Sequence, residues 1–351
     1  MLKYLFVLSC TVALGVSHVT AHATDINGAG STAAAPLYLK WDAAYNKKTG
    51  NKLAYELIGS SAGIKKIKEG TTDFGASDAP MSLADLKKSN LLDFPTVISG
   101  VVPIINLPGI KDGELRLTAE AITGIYLGKI DKWNDAVIAR DNPKLTLPNL
   151  RIVPLARADG SGTTYTLTDY FSAVSPEWKQ QYGRNFSIAW PADIKTMKGT
   201  GDLVAALKKT PGAIAYAEYA YVIENNLNYA QMKNRDGQYV RPDANSFNSA
   251  LANSSWKTTG NFEEMLTDKP GSGSWPITGA TYVYVPRVTS KPEQTKAVIQ
   301  FFTWAFMEGD TIANSLDYVR LPDNVQARVV HEMGNVVDAK GKQLAMPVFL
   351  K

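Results

Sequence analysis

Asp159-Gly160-Ser161-Gly162-Thr163, preceded by Arg157-Ala158, stands between a strand-like stretch, Arg151 to Leu155, and a helix-like one, Thr163 to Val174. A turn of this composition exposes backbone N–H groups and a small hydroxyl at a helix start. Unpaired amides and the positive end of the helix dipole favour an anion there. Two further turns share the character. Gly28-Ala29-Gly30-Ser31-Thr32 precedes a helical pattern from Pro36 to Thr49, and Gly59-Ser60-Ser61-Ala62-Gly63 joins the alternating Lys52 to Ile58 to a helical Ile64 to Glu69. Alone, each such turn is more often a simple cap or tight turn. Three in one chain point to a common oxyanion.

Working outward, strands and helices alternate. Asp73 to Asp78 has the look of a short buried strand that ends on a carboxylate, and Ser82 caps a helix running to Leu91 with Asp85 completing a capping-box pattern. Val97 to Asn106 is a long apolar strand interrupted by Gly100 and Pro103, and Thr118 to Leu127 is helical. Ala213 to Tyr216 and Tyr282 to Val285 are late strands. Pro292 to Met307 is an amphipathic helix with Val298, Phe301, Phe302 and Ala305 facing inward. Asp141 to Asn149, Gly183 to Thr200 and Asn228 to Pro242 read as surface loops. The strand–turn–helix repetition predicts an α/β fold with ligand groups on loops beyond the strand ends. The stretches near 100–103 and 269–279 are where the chain is expected to cross between lobes and hinge.

The N-terminus carries an address. Lys3 precedes the apolar run Leu5 to Val16, too short to span a bilayer, and Ala21-His22-Ala23 supplies a small-x-small cleavage pattern. Residues 1–23 are therefore expected to be a removed secretory signal. Lipoprotein processing at Cys10, after Val7-Leu8-Ser9, is a rival, but the apolar run continues past it. Cys10 is the one cysteine, and His18 and His22 also leave with the signal, so the mature chain keeps only His331. Ser-His-Asp triads, Cys-His pairs and multi-histidine zinc sites lack their parts. His331 lies in a helical stretch, where a surface structural role is expected. A net charge of +4 with no Lys/Arg block argues against a nucleic-acid partner. No metal or cofactor is expected.

The quoted turns, together with Ala35-Pro36-Leu37-Tyr38-x-Lys40-Trp41, Asp73-Phe74-Gly75-Ala76-Ser77-Asp78-Ala79-Pro80, Tyr126-Leu127-Gly128-Lys129-Ile130-x-x-Trp133, Pro211-Gly212-Ala213-Ile214 and Phe301-Phe302-x-Trp304-Ala305, resemble the periplasmic phosphate-binding proteins of bacterial Pst-type ABC transporters. The likeness runs in order through the mature chain. It implies a two-lobed, hinge-closing type II periplasmic-binding-protein fold, with residues 24–100 and 274–351 forming one lobe and 101–273 the other. It further implies a monomeric, non-enzymatic periplasmic protein that captures phosphate with high affinity and delivers it to an inner-membrane permease. By motif, phosphate meets Thr32, the amide of Ala33, Ser60, Asp78, Arg157, Ser161, Gly162 and Thr163. Ala33-Ala34 departs from the Phe-Pro of many members, which puts packing over the site in question.

Chemistry supports the assignment. An ionised Asp78 accepts a hydrogen bond from protonated phosphate and repels bare sulfate. In isolation Asp78 could merely end a strand, Arg157 could merely pair with Asp159, and Trp41, Trp133 and Trp304 are expected to pack rather than stack on a sugar. Two other functions compete with it: a serine hydrolase using Ser60 or Ser161, which lacks a histidine partner, and a secreted phosphate binder with an adhesion role.

Overall fold

The main sheet rests on β1 (Ile26–Gly30), β2 (Leu53–Leu57), β3 (Phe74–Ser77), β4 (Leu91–Asn106), β5 (Val153–Arg157), β6 (Lys195–Met197), β7 (Ala213–Glu218) and β8 (Thr278–Pro286). These belong to a computed structural model that describes residues 24–259 and 262–344; the expected signal segment and Cys10 lie outside the described residues. Strand order is β2-β1-β3-β8-β4-β7-β5-β6. β1 pairs in parallel with both β2 and β3, and β5 with both β6 and β7. β8 and β4, each antiparallel to its neighbours in this order, join the two parallel groups.

β4 is the element common to both halves. Residues 91–100 pair with β8, and the partner then changes: Gly100 lies opposite Thr278, whereas Val101 lies opposite Glu218 of β7. Its side chains are buried along almost its whole length. A near-continuous apolar run is what a strand covered on both faces needs. Side-chain bulk is excluded at the change of partner, because a Cβ on Gly100 would sit 2.1 Å from the Phe247 ring.

Helices cover the sheet, and three of them start at or beside the quoted turns. α1 (Ala35–Thr49) carries Pro36 in its first turn, buries Leu37, Tyr38, Trp41 and Tyr45, and ends at Gly50 with φ of 82°. α2 (Ser60–Lys68) follows the second turn, α3 (Gly162–Val174) the third, and α4 (Gly199–Lys209) follows β6. α5 (Tyr219–Glu224) continues directly from β7, and α6 (Pro292–Glu308) lays Val298, Phe301, Phe302 and Ala305 into the core. Phe302 meets Tyr38 and Phe74 edge-on, with centroids 5.6 and 5.3 Å away. Trp41 and Trp133 are buried packing residues, and Trp304 packs against Tyr45 and Phe301.

Several boundaries differ from the sequence reading. α2 begins at Ser60 rather than Ile64, so most of that turn is already helix. The helix capped by Ser82 stops at Lys88, because Asn90 takes φ of 53° and Leu91 starts β4. The strand expected from Arg151 ends two residues later, on Arg157. Gly183 to Thr200, expected as a surface loop, contains β6 and the start of α4. Asn228 to Pro242 holds three short strands and buries Ala230 and Met232. Polar composition concealed both, since their strand pairing comes from partners distant in sequence. His331 is exposed on a helix, Asp323–Met333.

Candidate functional site

The C-terminal ends of β1, β2 and β5 deliver the three turns to one place, and β3 delivers Asp78 there. Ser31 N–H donates to Ala76 O (2.9 Å), which ties the first turn to β3. Ser61 N–H donates to Gly160 O (3.0 Å), which ties the second turn to the third. Gly59 takes φ of +89° and approaches so closely that a Cβ would lie 2.6 Å from Asp159 Oδ2. Arg157 Nη1 donates to Thr32 Oγ1 (3.2 Å) and to Thr200 Oγ1 (2.9 Å), so the first turn also meets β5 and α4. The Tyr221 hydroxyl caps this junction by donating to Thr32 O (3.0 Å).

Asp78, just past β3, is buried at the centre. Its Oδ1 accepts the hydroxyls of Ser31 (2.5 Å) and Thr281 (2.6 Å), while Ser60 Oγ stands 3.5 Å from Oδ2 and accepts the Asp78 N–H at 3.2 Å. Burial pushes the Asp78 carboxyl above its usual range; the donated hydroxyls and the Arg157 charge pull it back. Gly162 lies directly opposite. A Cβ there would come 2.4 Å from Ser60 Oγ and 2.5 Å from Asp78 Oδ2.

Arg157 supplies the cation. Its Nε and Nη2 bond Asp159 at 2.7 and 2.5 Å, and Gly199 N–H braces Asp159 at 2.9 Å. Burial alone would lower the Arg157 pKa, yet the Asp159 carboxylate raises it overall. Burial likewise opposes ionisation of Asp159, and the paired guanidinium with the Gly199 amide outweighs it, so its pKa falls. Forked geometry of this kind fixes orientation as well as charge.

The remaining expected residues are all brought here, though not all are free. Ser161 Oγ accepts Thr164 N–H at the start of α3, and Ser161 N–H goes to Phe186 O. The Thr163 hydroxyl donates to Glu218. Ala33 N–H donates to Ser31 Oγ (3.0 Å), and Tyr318 covers Ala33 O with a 2.5 Å hydrogen bond. Tyrosines thus pack over the Ala33-Ala34 segment. Sequence reasoning missed Ser31, Thr200, Glu218 and Thr281. Ser31 stood inside a quoted turn, and Gly199-Thr200-Gly201 has the composition of a fourth; Glu218 and Thr281 carried no local signal.

Comparison with known proteins places this geometry in a lineage. The PBP superfamily domain matches residues 15–308. The phosphate-binding protein PstS of Pasteurella multocida is 44% identical over 311 residues, covering 89% of this chain and 90% of that protein. The chain belongs to the PstS branch of the PBP superfamily. A more distant relative, PstS of Methanocaldococcus jannaschii, is 34% identical and covers 82% of this chain and 79% of its own. The crystal structure of a phosphate-binding protein from Stenotrophomonas maltophilia superposes with a TM-score of 0.65 at 19% identity, over 88% of this chain and 94% of that one. At that identity the superposition speaks for the two-lobed α/β fold. The family and the two-lobed α/β fold that the resemblance implied are those found.

Proposed function

We propose that this chain binds inorganic phosphate in the cleft where the three turns meet, as a solute-binding protein that delivers it to an ABC-type importer. The carrying observation is Asp78: a buried carboxylate with one oxygen occupied by two hydroxyls and the other facing Ser60 and Gly162. Phosphate near neutral pH keeps a proton to give such an acceptor, and sulfate has none. Thr32, Ser60, Thr163, the Gly162 amide and Arg157 are the groups assigned to meet the anion beside it, with Ala33 and Ser161 bonded within the turns that carry them. The names of the PstS relatives support this ligand.

The lobes follow the change of partner in β4. Residues 24–100 with 274–351 form one, 101–273 the other, and they hinge where the chain crosses between them. Contacts such as Ser61 N–H to Gly160 O and Arg157 to Thr32 then describe the closed form. Phosphate enters an open cleft and is handed, after export and signal removal, from a periplasmic monomer to an inner-membrane permease. The site is read as binding rather than catalytic. Ser60 and Ser161 are engaged with Asp78 and the α3 amide, and His331 is exposed on another helix.

Calorimetric titration of the mature, ligand-stripped protein with phosphate and with sulfate tests the reading. Micromolar or tighter one-to-one phosphate binding, about 8 kcal/mol or more, with no sulfate heat is expected. Absence of phosphate binding overturns it.

A further inference from the structure

Glu218 ends β7 and is buried to 3% exposure. Its Oε1 accepts the Thr163 hydroxyl, whereas Oε2 is buried with no hydrogen-bond partner among the described residues. An ionised carboxylate there would carry charge on a buried oxygen that no donor among the described residues reaches, which is costly. Protonated, the group leaves only a neutral oxygen unpaired.

The groups around it act in both directions, Asp78 together with burial favouring the proton and Arg157 with Thr163 against it. Asp78 and Arg157 act on it from the centre of the cleft, with Asp159 behind Arg157, Tyr216 on the same strand, Tyr221 on α5, and Tyr318 over the first turn. Ionised, Glu218 would set three carboxylates (Asp78, Asp159 and its own) against the one Arg157 guanidinium before any anion arrives. Burial first, and the Asp78 charge second, push the Glu218 carboxyl up to about 7, against the pull of Thr163 and Arg157. Asp78 has the Ser31 and Thr281 hydroxyls on one oxygen with Ser60 beside the other, while Glu218 has a single donor. Of the two, Glu218 is the better place for a proton.

We infer that Glu218 is a positioning residue of the anion site that carries a proton when the cleft is filled, donating to Thr163 Oγ1 so that the Thr163 hydroxyl turns to the bound anion. Ionised Glu218 draws that hydroxyl to itself and removes a donor from the cleft. Above neutral pH the free carboxylate is ionised and phosphate arrives as HPO4²⁻. Capture then takes one proton from solvent onto Glu218, with the ligand's own proton shared with Asp78. The inference rests on the phosphate reading of this site.

The test is calorimetry with inorganic phosphate at about pH 8.5, in buffers of different ionisation enthalpy, on stripped wild type and Glu218→Gln. Wild type is expected to take up about one proton per phosphate and to lose affinity roughly tenfold per pH unit above pH 8. The Gln amide donates to Thr163 Oγ1 at every pH, so Glu218→Gln should take up none and show a flat profile. Phosphate binding without proton uptake by wild type overturns the inference and leaves the phosphate reading intact; equal uptake by the variant does the same. Failure of wild type to bind phosphate defeats both. Should the variant not fold, the wild-type proton count decides alone.

Discussion

Gly162→Ala probes whether the close approach of the turns is the binding geometry. An added Cβ lands 2.4 Å from Ser60 Oγ, 2.5 Å from Asp78 Oδ2 and 2.7 Å from Asp78 Cβ, where ordinary contact begins near 3.4 Å. Closure must then stop about 1 Å short, and packed side chains give way by that much only at a cost of roughly 1–3 kcal/mol. A gap of that size stretches Ser61 N–H to Gly160 O from 3.0 Å, and Arg157 to Thr32 from 3.2 Å, beyond hydrogen-bond range. The first is worth about 1 kcal/mol and the second, charged, about 1.5–3 kcal/mol. A combined loss of about 2.5–4 kcal/mol weakens phosphate binding by roughly 10²- to 10³-fold. Gly162 opens α3 without a positive φ, so alanine suits the local backbone and the unliganded fold. Titration calorimetry reads the affinity, and scanning calorimetry without phosphate should give a melting temperature within a few degrees of wild type. A well-folded variant that binds phosphate within about fivefold of wild type, under 1 kcal/mol, refutes the assignment of these contacts to the bound state.

Asp78→Asn keeps an oxygen for Ser31 and Thr281 and turns an amide toward Ser60 and the cleft. Sulfate then meets a donor in place of a charge, and the phosphate-over-sulfate ratio should narrow by at least about tenfold, 1.4 kcal/mol; an unchanged ratio in paired titrations removes Asp78 from selectivity. Asp93 on β4 tests the pH dependence of folding. Burial first of all pushes its carboxyl up to about 7, well above the unfolded value near 3.9. The native state therefore binds this proton more tightly. Its stabilisation is complete below about pH 4 and is lost as pH rises to about 7. Between pH 5 and 8 the melting temperature of wild type should fall more than that of Asp93→Asn; equal slopes would show that Asp93 does not titrate in this window.

The sequence by itself determined where helices begin and what their starts offer. Glycine, serine and threonine ahead of an apolar periodicity fix a turn and leave amides and hydroxyls at a helix N-terminus, because backbone freedom and capping act within a few residues. Thr32, Ser60, Ser161, Gly162 and Thr163 stood in such turns for that reason, while Arg157 and Asp78 were singled out as ligands by the family resemblance. Only the tertiary structure decided what these groups touch. Thr281 reaches Asp78 from 203 residues away, since β8 runs antiparallel beside β3, and Glu218 meets Thr163 because β7 lies beside β5. Thr200 sat in a stretch polar enough to pass for a loop, until β6 paired with β5 and brought α4 to the cleft. Strand order is a property of the whole core, and no local run of residues encodes which strand will lie beside which.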